Sequence, residues 1–135
     1  SAVFWHSLAR KSQPTWWRKG NIPGTEHYSI VQPEILVPDH PEGGRDQDFL
    51  DLLDQQDHIV VAGEAASHCV LETIEDLVDE FRDRPGALGR IFILRDCTSP
   101  VKHAEIDFEA LTREQFARFQ AEGVHFILST DPLPF

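Results

Sequence analysis

Three short apolar runs, at residues 59–62, 90–94 and 124–128, alternate with two stretches of helical periodicity. That alternation limits the fold more than any other feature of the chain. The first run, Ile59, Val60, Val61 and Ala62, reads as a strand of a parallel sheet buried on both faces. After it, Val70, Ile74, Leu77, Val78 and Phe81 recur at spacings of three and four, which predicts a helix over 69–81. Residues 82–89 form a turn around Pro85 and Gly86, and a second buried strand follows at 90–94. Thr112, Arg113, Glu114 and Gln115 have the form of a capping box, which predicts a helix start there, with Phe116 and Phe119 inward and Gly123 just past its end. The third strand covers 124–128. Strand, helix, strand, helix, strand requires right-handed crossovers and gives a parallel sheet covered by helices. Sheets of this kind carry their sites outside the carboxyl ends of the strands. Cys69, the pair Asp96 and Cys97, and the run Ser129, Thr130, Asp131 all occupy such positions.

The first part of the chain is less regular. Residues 2–11 have helical composition, with Val3, Trp5, Leu8 and Ala9 as inward candidates, and Pro14 ends the segment. Residues 12–24 form a basic, aromatic, turn-rich connection. Adjacent Trp16 and Trp17 are expensive to leave wet, so at least one ring is expected to pack. Residues 28–37 are expected to hold short extended pieces around Pro33, and 38–44 a loop of Pro, Asp, His and Gly. Residues 46–55 are expected to form a short helix with Phe49, Leu50, Leu52 and Leu53 on one side. A length of 135 residues suits a single domain, 1–135, with a core of its own.

The formal charge of −11 argues against nucleic acid or an anionic membrane as partner, because both need a basic surface. No apolar run approaches the roughly 20 residues of a membrane span. Two cysteines are too few for a disulfide scaffold. With no signal peptide at the start, the expected compartment is the cytoplasm. The chain holds no methionine and begins at Ser1, as either a truncated start or simple removal of an initiator would leave it.

Cys69 stands where a strand gives way to a helix. A thiol at a helix N-terminus faces unsatisfied backbone N–H groups and the positive end of the helix dipole, and both favour the reactive thiolate. A nucleophile and a small buried hydrophobe are both open roles for it. Cys97 reads as structural, and Asp96 as an acceptor that orders its loop. His68 adjoins Cys69, but neighbouring side chains usually point apart, so a hydrogen-bonded structural role is the simpler one. Seven histidines are scattered along the chain, and no metal site is expected from it alone. Lys19 lies in an aromatic loop, and composition gives it no special status.

These residues do match a pattern. The segment Val61-Ala62-Gly63-Glu64-Ala65-Ala66-Ser67-His68-Cys69-Val70-Leu71-Glu72-Thr73-Ile74 resembles the nucleophile segment of the isochorismatase-like cysteine hydrolases. The nicotinamidase-like members carry a Gly-x-Ala-x-x-His-Cys-Val pattern of this sort. Lys19-Gly20, with Tyr28-Ser29 downstream, is similar to the family's lysine segment. Leu94-Arg95-Asp96-Cys97-Thr98-Ser99-Pro100 is similar to the strand and Asp loop that follow. The resemblance implies an α/β fold, a three-layer α/β/α sandwich around a six-stranded, mostly parallel sheet. It implies a Cys–Asp–Lys triad that hydrolyses small amides, nicotinamide to nicotinate and ammonia, through a thioester. It makes Cys69 the nucleophile and Lys19 the triad lysine, puts a cis peptide at Glu64–Ala65, and builds the oxyanion hole from the N–H groups of Ala65 and Cys69.

The resemblance also implies what is missing. The family's triad aspartate, most of its metal-binding Asp and His residues and two central strands belong to an N-terminal segment that precedes everything matched here. The chain is therefore expected to be the C-terminal portion of such an enzyme, to be completed by a second chain, or to be a non-catalytic binding or assembly module without the triad aspartate. No cofactor is expected in this chain, and a divalent metal such as zinc belongs to the complete enzyme. The expected partners are a small amide, further copies of the chain, and the missing N-terminal segment.

Overall fold

The computed structural model describes residues 14–133, together with residues 2 and 3, which are helical. The remaining helical expectation for 4–11 lies outside the described residues, and Val3 is exposed rather than inward. In chain order the elements are α1 (Gln47–Asp54), β1 (Ile59–Val61), α2 (Cys69–Phe81), a 3-10 turn (Leu88–Arg90), β2 (Ile91–Leu94), α3 (Phe108–Glu122) and β3 (His125–Ile127). The strands form one parallel sheet in the order β1-β2-β3, with Ile59 opposite Ile91 and Phe92 opposite His125. Each strand leads through a helix to the next, as parallel pairing requires. The fold is an open α/β unit.

The pleat sorts the strand residues onto two faces. Ile59, Val61, Ile91, Ile93 and Phe126 share one face, and all belong to the core cluster or pack against it. The helices add Leu50 from α1, Val70, Ile74, Leu77, Val78 and Phe81 from α2, and Phe119 from α3. Burying each large side chain of this kind contributes about 1.5–3 kcal/mol. The opposite face carries Val60, Phe92, Leu94, His125 and Ile127, none of which joins the cluster. There the rings of His58 and His125 lie against Phe92, with His125 stacked at 4.7 Å. The sheet and one helical layer of the sandwich are thus described. Val60 is 45 % exposed, so β1 is not buried on both faces. Among the described residues it pairs on one side only, and no helix contributes cluster residues to the face Val60 occupies.

Helix ends follow local chemistry. Asp46 caps α1 by accepting from Phe49 N–H at 2.9 Å, and Asp107 caps α3 by accepting from Ala110 N–H at 2.9 Å. The start of α3 at Phe108 corrects the capping box expected at Thr112. Asp107 offers its carboxylate one turn earlier, and Thr112 is buried inside the helix, where the N–H groups ahead of it already bond to carbonyls one turn back. Gly123 ends α3 at φ +122°, a conformation that side chains rarely adopt, and the chain enters β3 from there.

Residues 14–46 contain no regular element, which corrects the extended pieces expected over 28–37. Polar bonds, two aromatic contacts and the burial of Val31 hold this segment. Trp17 Nε1 donates to Asp46 at 2.8 Å while its ring lies 5.4 Å from that of Phe49, so one of the two tryptophans packs. Trp16 stays exposed. Gln32 Nε2 donates to Asp76 at 2.8 Å, and Arg45 reaches Asp76 and Glu80, so α2 anchors the loop as well as the sheet.

Candidate active site

The loop between β1 and α2 is built by backbone bonds to the loop after β2. Gly63 turns the chain at φ +131° and donates to Cys97 O at 3.0 Å. No atom crowds the position of a Cβ there, so it is the backbone angle that requires glycine. The Glu64–Ala65 peptide is cis. Ala66 N–H donates to Ser99 O at 2.8 Å, and Ala65 O accepts from His68 and Val70 N–H, both at 3.1 Å. The chain then enters α2 at Cys69.

Cys69 is half-buried and its thiol is free. His68 precedes it as the cap residue of α2 and makes no side-chain cap bond. Among the described residues, the backbone N–H groups of Ala65 and Cys69 donate to no protein acceptor. The thiol therefore shares a tight loop with two uncommitted donors, at the positive end of a 13-residue helix. Cys69 O accepts from Thr73 Oγ1 at 2.7 Å, and Thr73 Oγ1 accepts from Ile30 N–H at 3.2 Å, which ties segment 28–30 to the helix start.

The His68 ring packs between Tyr28, at 5.7 Å, and the edge of Phe108, at 4.8 Å. Its Nδ1 lies 2.8 Å from Ser67 Oγ, which itself accepts from Val101 N–H at 2.9 Å. Hydrogen bonding and aromatic packing account for His68.

Lys19 Nζ donates to the carbonyl of His27 at 2.9 Å and to that of Tyr28. It is thereby fastened to the segment whose Tyr28 ring covers His68. No hydrogen bond joins Lys19 Nζ to Cys69 Sγ among the described residues. His27 accepts from Gly20 N–H through Nδ1 at 3.2 Å, and burial, with the neighbouring Lys19 charge, lowers its pKa. Asp96 accepts from Ser129 Oγ at 2.6 Å and Ser129 N–H at 2.8 Å, bonds that lower its pKa. It is an acceptor that joins the loops after β2 and β3. Cys97 is a free, half-buried thiol whose carbonyl holds Gly63.

Among the described residues, no three His, Cys, Asp or Glu side chains converge as a metal centre requires. Among the described residues, no helix is long and apolar enough to cross a membrane. A cleft of about 840 Å³ runs past Trp16, Trp17, Arg45 and Asp46, and one of about 300 Å³ is lined by Ala66, Thr98, Pro100 and Phe126. Neither is lined by Cys69, Lys19 or His68.

One contact escapes sequence reasoning. Glu64 bonds to Ser99, with the Ser99 N–H donating at 3.0 Å and the Ser99 hydroxyl at 3.0 and 3.2 Å to the two carboxylate oxygens. A signal was present, since Glu64 is the one Asp, Glu, Lys or Arg between Asp57 and Glu72.

Comparison with known proteins agrees with this geometry at the level of the fold. No family model matches the sequence, and no curated protein matches it. Among solved structures, the chain is similar to the yeast nicotinamidase Pnc1p, with a TM-score of 0.58, 16 % identity, and coverage of 93 % of this chain and 50 % of that one. It is also similar to the Acinetobacter baumanii nicotinamidase/pyrazinamidase, with a TM-score of 0.51, 20 % identity, and coverage of 81 % and 44 %. The fold is similar to part of these two structures, and the chain spans about half the length of those proteins.

Proposed function

We propose that this chain carries the nucleophile of a cysteine amidohydrolase acting on a small amide, with nicotinamide as the substrate. The observation that supports it most directly is the position of Cys69 at the start of α2, in a loop where the N–H groups of Ala65 and Cys69 have no protein acceptor. The similarity of fold to two nicotinamidases supports the same reading.

In this mechanism the Cys69 thiolate attacks the amide carbonyl carbon. The carbonyl oxygen becomes an oxyanion, and the N–H groups of Ala65 and Cys69 point at it. Donors already fixed in place need no reorganisation when the charge develops, which is why such pairs lower barriers. The amide nitrogen takes up the proton that the thiol gave up, the C–N bond breaks, ammonia leaves, and a thioester to Cys69 remains. Water attacks the thioester and releases the carboxylate product and the thiol. Lys19 is the cation that favours the thiolate and positions the reacting groups. The triad carboxylate has no counterpart in the matched motifs and comes from outside them.

Ammonia release from nicotinamide by the full-length protein tests the proposal. Cys69→Ala is expected to lower turnover by about 10³-fold or more, as loss of a nucleophile does elsewhere. Unchanged turnover in that variant rejects it.

A further inference from the structure

We infer that Glu64 is a positioning residue: its carboxylate, clamped on Ser99, holds the loop that presents the Ala65 and Cys69 N–H groups. This rests on the proposed role of those groups as an oxyanion hole.

Five hydrogen-bond contacts join residues 63–66 to 97–99. Two are backbone bonds, Gly63 N–H to Cys97 O and Ala66 N–H to Ser99 O. Both leave the Glu64–Ala65 peptide between them without a backbone partner from the neighbouring loop. The Glu64 side chain supplies the missing hold, since its carboxylate receives both the N–H and the hydroxyl of Ser99. Hydrogen bonds to an ionised acceptor are roughly twice as strong as neutral ones. Ser99 thus grips the loop on either side of the Ala65 N–H, through Glu64 before it and Ala66 after it.

The residue type is otherwise hard to account for. The loop is made of small residues, Gly63, Ala65, Ala66 and Ser67, and among the described residues Glu64 makes no ion pair. An exposed carboxylate devoted to one neighbouring loop fixes geometry rather than adding core. The geometry it fixes is the direction of a donor. A misplacement of about 1 Å at a reacting centre can cost about a hundredfold in rate.

The test separates the donor from the thiol. Acylation of Cys69 by p-nitrophenyl acetate passes through an oxyanion, whereas alkylation by iodoacetamide does not. Both are followed in the full-length protein, with Cys69→Ala as blank. Glu64→Ala is expected to slow acylation by about 10- to 100-fold while alkylation stays within about twofold. Ser99→Ala, which keeps the N–H bond, and Glu64→Gln, which keeps an acceptor, are expected to lose less. The double variant Glu64→Ala/Ser99→Ala is expected to be no slower than Glu64→Ala. Unchanged acylation in Glu64→Ala overturns the inference, and so does an equal fall in both reactions, which marks damage to the thiol's surroundings or the fold. Absence of Cys69-dependent acylation in the unsubstituted protein is a different result: it overturns the proposed function, and the clamp's role with it.

Discussion

Residues 58–128 and residues 14–46 are held by different forces. The first region is a sheet and its helices, assembled on a core of side chains such as Ile74, Phe81, Ile91, Ile93 and Phe119 that have no exposure at all. The second has no helix or strand and contributes little to that core beyond Ile30 and Val31. It is fastened by directed bonds, Trp17 to Asp46, Lys19 to two carbonyls, Asn21 to Glu42 and Gln32 to Asp76. Burial is non-directional and tolerates modest change of shape, whereas a hydrogen-bonded loop depends on each partner in turn. Nucleophile and lysine fall on opposite sides of this divide. Cys69 stands on the rigid frame, and Lys19 on the bonded loop.

The contrast breaks most strongly in the core. Phe81→Ala is expected to destabilise the protein by about 3–5 kcal/mol, read by urea denaturation, because it removes a large buried side chain and leaves a cavity. A loss below about 1 kcal/mol would deny that α2 and the sheet form the frame. A smaller effect is expected at the seam. Asp46→Ala removes both the α1 cap and the acceptor for Trp17, and is expected to cost about 1–2 kcal/mol. Trp17→Phe keeps an aromatic ring at the position while removing the N–H donor, and is expected to cost less than Asp46→Ala in the same assay.

The smallest effect is in pH dependence. Burial, ahead of its partners Ser29, Arg45 and Gln32, raises the pKa of Asp76 above its usual 3.8. A carboxyl that binds its proton more tightly when folded favours the folded state while protonated. Its contribution is therefore lost as pH rises from about 3.8 through the raised value. Asp76→Asn is expected to flatten the stability profile over that window, measured by urea denaturation at a series of pH values. A profile that keeps its slope would show that Arg45 and Gln32 fully offset the burial.

Where the code is local, the sequence is legible. The helix over 69–81 and the strands around 59–62, 90–94 and 124–128 match the observed elements to within one or two residues, because apolar spacing writes burial directly into the chain. The start of α3 misleads because Asp107 and Thr112 both offer cap chemistry, and only packing of Thr112 inward excludes the second. The candidate site is partly visible. A cysteine between strand and helix stands out in the sequence, but the bond from Glu64 to Ser99 spans 35 positions and no local rule encodes it.

The sequence alone determined the strand–helix alternation and the helix that begins at Cys69, since each rests on the shape and polarity of residues near one another in the chain. Tertiary structure decided which face of β1 is covered, where Lys19 is fastened, and which groups steady the loop at 63–66. Those depend on partners far apart in sequence, and only folding brings their donors and acceptors within 3 Å or so of one another.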